Sequence, residues 1–278
     1  MIQSIEITKE FPASRERVVL LELLEIVRLL KAEEIDSVIC GGWVPFLKEL
    51  ARHCHTSHSM SLDIDLLLRQ KARERESIDR VKYLLSKSLN FERSNDDLFR
   101  YEKSIDGNLV QLDLMADLPR TTTESVKRFH GLSTTLDMCL IDGAENLGNH
   151  TETIRINCRE GESVETFELT LPDAVGFLML KTEVCRYREK QKDPYDIYYY
   201  CRYSEDTNVI RQSLINSIQE PAVRNTVSSI RRMFSHEDSK WVEMILDHMG
   251  VTEDNDRDQE ARMIVRTLGR VIEGMPGE

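Results

Sequence analysis

The segment that most constrains this chain is Leu62-Asp-Ile-Asp-Leu-Leu-Leu68, where Asp63 and Asp65 alternate with apolar residues. Alternation with a period of two marks a half-buried strand, because successive side chains point to opposite faces. Asp63 and Asp65 therefore project together, while Leu62, Ile64 and Leu66 enter the core from the other face. A second alternating run, Leu109-Val-Gln-Leu-Asp-Leu-Met115, sets Asp113 opposite a face made by Val110, Leu112 and Leu114. If the two strands are neighbours, three carboxylates converge on one face of a sheet.

Carboxylates held that close repel one another, and divalent cations relieve the repulsion. Hard oxygen ligands suit Mg²⁺, which keeps some of its waters and bridges substrate phosphates. Two such ions, roughly 3.5–4 Å apart, clamp the attacking and leaving oxygens of an in-line displacement. Gly41-Gly42 lies between a strand-like run, Ser37 to Cys40, and a helix that opens near Trp43. Strand, glycine turn and helix in that order aim backbone N–H groups at a phosphate. The expected division of labour is Gly41 and Gly42 cradling the triphosphate of an NTP, helped by Ser59 or Ser61. Asp63 and Asp65 would hold both ions, and Asp113 would bind the catalytic ion and help activate an acceptor hydroxyl.

Periodicity supplies the rest of the frame. Val18, Leu21, Leu24, Val27 and Leu30 predict a helix over 14–33, and Trp43, Phe46, Leu47 and Leu50 predict one from Trp43 to Cys54. A charged helix over 71–88 carries Ile78, Val81, Leu84 and Leu85. Strands are expected at 89–93 and 98–105, with Gly107-Asn108 as the turn into the Asp113 strand. Further strands are expected at Thr153 to Cys158 and Thr166 to Thr170. From Pro172 onward the pattern is helical, at about 172–188, 193–203, 207–219, 221–234, 238–249 and 257–273. The fold class is α+β, a mixed sheet with flanking helices (residues 1–165) followed by a helical C-terminal domain (166–278).

Charge and composition narrow the partners. The formal net charge is −12, which argues against broad affinity for duplex DNA but leaves room for RNA at a local basic patch. No apolar stretch nears the roughly 20 residues needed to cross a bilayer, so no membrane partner is expected. The opening MIQSIEITKEF has neither the basic nor the apolar region of a signal peptide, which makes the cytoplasm the expected location. The six cysteines show no paired spacing, consistent with reduced thiols.

A second constellation lies in LMLKTEVCRYREKQKDPYDIY, Leu178 to Tyr198. Lys181, Cys185 and Arg188 recur on one helical face, and Asp193 and Asp196 follow one turn apart. A lysine near the triphosphate would neutralise charge developing on the leaving pyrophosphate, with Asp193 or Asp196 orienting it. Asp193 could equally cap the helix that Pro194 begins. Tyr195, Tyr198, Tyr199 and Tyr200 suit base stacking or helix packing.

Together, Gly41-Gly42, Ser61-Leu-Asp-Ile-Asp-Leu66, Leu112-Asp113-Leu114, Lys181 and Lys192-Asp-Pro-Tyr-Asp-Ile-Tyr198 resemble the abortive-infection nucleotidyltransferase family (AbiEii/AbiGii toxin type). That family lies within the polymerase-beta-like nucleotidyltransferase superfamily. The resemblance covers roughly residues 35–203. It implies Mg²⁺-dependent transfer of a nucleoside monophosphate from NTP, with tRNA ends as acceptor in some members and a cognate antitoxin protein as partner. The gap between Gly42 and Asp63 holds 20 residues, longer than the family's, and the excess falls around His53-Cys-His-Thr-Ser-His58. That cluster matches no standard zinc spacing. Two rivals stand beside this reading. Gly41-Gly42-Trp43 is similar to the opening of antibiotic nucleotidyltransferases, whose cationic substrates an acidic protein suits, although the Lys-Asp-x-x-Asp element weighs against it. The other is an inactive nucleotide-binding module, against which the three aspartates argue.

Overall fold

The computed structural model describes residues 4–8, 15–51, 63–69, 75–95, 99–117, 139–141, 147–160 and 163–276. Ser59, Ser61 and the His53–His58 cluster lie outside the described residues. The expected α+β class is what is found: a mixed sheet with helices, then a helical C-terminal region. The chain divides into two compact units, Met1–Val44 with Ser59–Pro172, and Pro45–His58 with Asp173–Glu278.

The first unit opens with β1 (Ser4–Thr8) and α1 (Arg15–Ala32). Then come β2 (Ser37–Ile39), the start of α2 (Trp43–Ala51) and β3 (Asp63–Leu68). A charged helix α3 (Arg75–Tyr83) runs on into a wider π-type turn, Leu84–Ser88. Strands β4 (Glu92–Arg93), β5 (Arg100–Ile105), β6 (Asn108–Asp117) and β7 (Cys139–Ile141) follow. A hairpin of β8 (Thr151–Glu160) and β9 (Ser163–Pro172) closes the unit.

Two sheets result. The larger has the order β2-β3-β6-β5-β4, with β7 added to β6. Its β3 and β6 run parallel, whereas β2 and β5 are antiparallel to the strands they flank. Met115 pairs with Leu67 on one side and Cys139 on the other, so β7 continues the edge of β6 that β5 uses further back. The smaller sheet has the order β1-β8-β9, with β1 parallel to β8. Strand β1 escaped the sequence reading, because five residues at a terminus carry too short a pattern to separate from a coil.

Burial follows the alternation. Ile64, Leu66 and Leu68 on β3 and Val110, Leu112 and Leu114 on β6 are fully buried. Helix α1 contacts β6 and β9. Its buried side includes Val19, Leu20, Leu23, Ile26 and the expected Leu24, Val27 and Leu30, whereas the Leu21 assigned to that stripe is exposed. Glu22 on the same helix is buried because Lys103 of β5 donates to it at 2.7 Å.

The second unit contains α4 (Ala174–Tyr187), α5 (Lys192–Tyr199) with a π-type turn at Tyr200–Ser204, α6 (Thr207–Ser217), α7 (Pro221–Met233), α8 (Lys240–Met249) and α9 (Asp254–Val271). Pro172 ends β9 rather than opening α4, and Asp173 caps that helix by accepting from the Gly176 N–H at 2.8 Å. Tyr198, Tyr199 and Tyr200 are buried, and Tyr200 stacks on Phe177 with ring centroids 4.3 Å apart. They are core residues rather than a platform for bases. Helix α2 was expected to bury one stripe, but Lys48 and Glu49 are buried as well. Lys48 pairs with Glu205 at 3.0 Å, and Glu49 accepts from the Ser204 hydroxyl at 2.9 Å. Those partners lie more than 150 positions away along the chain, beyond the reach of local pattern.

Candidate active site

Strands β3 and β6 are neighbours, and Asp65 stands directly opposite Asp113 in their register. Asp63, two residues before Asp65, lies opposite Gln111 on the same face. The polar face of the sheet therefore collects Asp63, Asp65 and Asp113, as the alternation requires. The opposite face is the core, which fixes the register: a slip of one residue would drive carboxylates into it.

Gly41 completes one edge of this face. Its backbone has φ +66°, a left-handed conformation that glycine adopts without steric cost. A Cβ at that position would lie 1.7 Å from Asp65 Oδ2. The backbone at Gly41 thus passes close against the Asp65 carboxylate. The Cys40 N–H donates to the Asp65 carbonyl at 2.8 Å, and the Trp43 indole N–H donates to the Asp63 carbonyl at 3.1 Å. The glycine turn and the aspartate strand are joined by one backbone bond, at Asp65, and one indole bond, at Asp63.

One residue of the site was missed at the sequence level. Arg100 of β5 is the register partner of Asp113. Its Nε donates to Asp113 Oδ1 at 2.7 Å and its Nη2 to Oδ2 at 2.8 Å, a two-pronged pair. The same Nη2 lies 3.7 Å from Asp63 Oδ2. A signal for it does exist. The turn expected at Gly107-Asn108 falls at Asp106-Gly107, both with positive φ, closing on the Ile105–Asn108 pair. Asp-Gly is the two-residue hairpin signature. Counting back from that closure sets Arg100 opposite Asp113.

The second group of expected residues lies in the second unit. Lys181 on α4 donates to Asp196 Oδ2 at 2.6 Å and to Asp193 Oδ1 at 3.4 Å, both on α5. Asp193 also accepts a two-pronged pair from Arg188, at 2.7 and 2.9 Å. Asp196 is fully buried and the Lys181 side chain is only 10% exposed. Asp193 makes no capping bond; it lies inside the first turn of α5, its carboxylate engaged by the two cations. Cys185, on the same helix as Lys181, has its thiol pushed up to about 12, first by burial and then by the negative charge of Asp193.

As a donor set, Asp63, Asp65 and Asp113 fit Mg²⁺: three hard carboxylates share one sheet face, and two of them are in register. In the present arrangement both Asp113 oxygens accept from Arg100, and among the described residues no three His, Cys, Asp or Glu side chains are gathered as a metal-holding group. A divalent ion on Asp113 would share those oxygens with the guanidinium and repel it.

No family model matches the chain, and no curated protein does. Among solved structures, it is similar to the crystal structure of an antigenic nucleotidyltransferase-like protein from Paracoccidioides brasiliensis. The TM-score is 0.40 at 15% identity, covering 78% of this chain and 87% of that one. Among the described residues, no helix is long and apolar enough to cross a membrane.

Proposed function

We propose that the protein is a Mg²⁺-dependent nucleotidyltransferase that moves a nucleoside monophosphate from NTP to an acceptor hydroxyl. The observation that carries this reading is the polar face of β3 and β6, with Asp65 and Asp113 in register, Asp63 beside them and the Gly41 backbone against Asp65. Bound Mg²⁺ would neutralise the triphosphate and stabilise the attacking and leaving oxygens.

The residues of the chain carry the remaining roles. Asp63 and Asp65 would hold the ions, and hydrogen bonds from the Cys40 N–H and the Trp43 indole to their carbonyls keep their strand in place. Asp113 takes part in holding the catalytic ion and accepts the proton of the acceptor hydroxyl. Gly41 and Gly42 present backbone to the triphosphate, and Ser59 or Ser61 assists them. By the sequence reading, Lys181, which donates to Asp196 and Asp193, has the task of supplying positive charge toward the departing pyrophosphate. The acceptor implied by the sequence resemblance is a tRNA end, and an antitoxin partner belongs to the same reading.

The test is transfer from each α-phosphate-radiolabelled NTP, with Mg²⁺, onto total tRNA and onto a panel of aminoglycosides. An Asp63→Asn/Asp65→Asn variant serves as control. Label on tRNA that is lost in the variant supports the reading with RNA as acceptor. Label on an aminoglycoside moves the acceptor to the small-molecule class. Equal labelling by the variant overturns the assignment of the aspartates.

A further inference from the structure

We propose that Arg100 is a built-in counter-cation of the acidic face, which holds Asp113 until a divalent ion arrives and then turns to the phosphates of the nucleotide. This rests on the metal-site reading above and adds a residue that reading does not use.

The position is dictated by the fold. The Asp106-Gly107 turn sets the β5–β6 register, and that register sets Arg100 opposite Asp113 on the polar face. The fork of the guanidinium then matches the two carboxylate oxygens, both within 2.8 Å. Asp113 is 8% exposed, so its charge is costly without a partner. Arg100 supplies that partner and also reaches Asp63. A guanidinium stays charged at every physiological pH, so no proton loss releases it.

The same contacts make Arg100 a competitor. A divalent ion held by Asp113 needs an oxygen that now accepts from Arg100, and the ion repels the guanidinium. Displacement leaves a cation at the edge of a site built for a polyanion. Arginine binds phosphate with the same two-pronged geometry it uses for carboxylate. The exchange of Asp113 for phosphate would couple the two ligands. Metal alone would bind weakly, and metal with nucleotide would bind strongly, because the nucleotide takes up the displaced charge.

Binding of Mn²⁺, read from the electron paramagnetic resonance signal of the free ion, tests this without turnover. Titrations would be run on the full chain as wild type, Arg100→Gln, Arg100→Lys and Asp63→Asn/Asp65→Asn. Each would be measured alone and with α,β-methylene analogues of the four NTPs, and circular dichroism would check folding. The expected result is that Arg100→Gln binds Mn²⁺ alone about tenfold more tightly than wild type but loses about tenfold in affinity for the Mn²⁺–analogue complex. Arg100→Lys, which keeps the charge and loses the fork, falls between the two, and it carries the test if Arg100→Gln fails to fold. Unchanged affinity for Mn²⁺ alone, or for the Mn²⁺–analogue complex, in the Arg100 variants overturns the proposal. If the aspartate variant still abolishes binding in that case, the metal-site reading survives. Absence of Mn²⁺ binding in wild type and Arg100 variants alike overturns both.

Discussion

Gly41 and Asp65 touch: a single methyl group at Gly41 would overlap Asp65 Oδ2, at 1.7 Å. The turn that the sequence marks as a phosphate cradle and the strand it marks as a metal site are therefore one construction. A side chain at Gly41 perturbs both.

Gly41→Ala is expected to abolish transfer and weaken Mn²⁺ binding while the protein still folds. The left-handed backbone costs a non-glycine residue about 1–3 kcal/mol, and the Asp65 carboxylate must swing away from the new methyl. Urea denaturation measures the first effect and metal titration the second. Full Mn²⁺ affinity in this variant would separate the glycine turn from the site.

Asp65→Asn and Asp113→Asn should each lower transfer by more than the roughly 10–100-fold typical of removing a group behind a metal ligand. Asp113→Asn removes the carboxylate that stands opposite Arg100 and takes its two-pronged pair, so it should lower the melting temperature as well as the rate. Single-turnover rates and melting temperatures of the two variants, compared side by side, check this.

Lys181→Met should destabilise the second unit by about 3–5 kcal/mol, since it leaves the fully buried Asp196 without its cation. The double variant Lys181→Met/Asp196→Asn should recover most of that loss, because no unpaired charge remains. If Lys181 also serves the pyrophosphate, transfer stays low in the double variant although stability returns. Recovery of both would assign Lys181 to packing alone.

Cys185 and Cys201 should resist alkylation at pH 8 in the folded protein. Both thiols are pushed up to about 12 by burial, Cys185 also by Asp193, so the reactive thiolate is scarce. Site-resolved mass spectrometry after iodoacetamide treatment would detect it, with urea-unfolded protein as the labelled reference. The sign for stability follows from the same shift. Above the unfolded value of 9.0 the unfolded chain loses these protons first, so stability falls as the pH rises from 9 toward 12.

Much of the first unit was legible because its information is local. Alternation in residues 62–68 and 109–115 sorts side chains onto two faces, and burial of one face leaves the aspartates no other direction. Helices α4 to α9 were legible for a similar reason. Ala261, Ile264, Leu268 and Val271, for example, recur on one buried stripe.

What the sequence by itself determined is direction: which residues share a strand face or a helix face. Tertiary structure decided partnership. Pairing β3 with β6 put Asp65 opposite Asp113, and the Asp106-Gly107 turn put Arg100 opposite Asp113. Close approach of backbone to carboxylate made Gly41 indispensable to Asp65. Burial turned Lys48, Glu49 and Lys181 from plausible surface charges into paired interior ones. The physical reason is that periodicity is a property of one segment, whereas desolvation and charge pairing depend on which distant segment comes to lie against it.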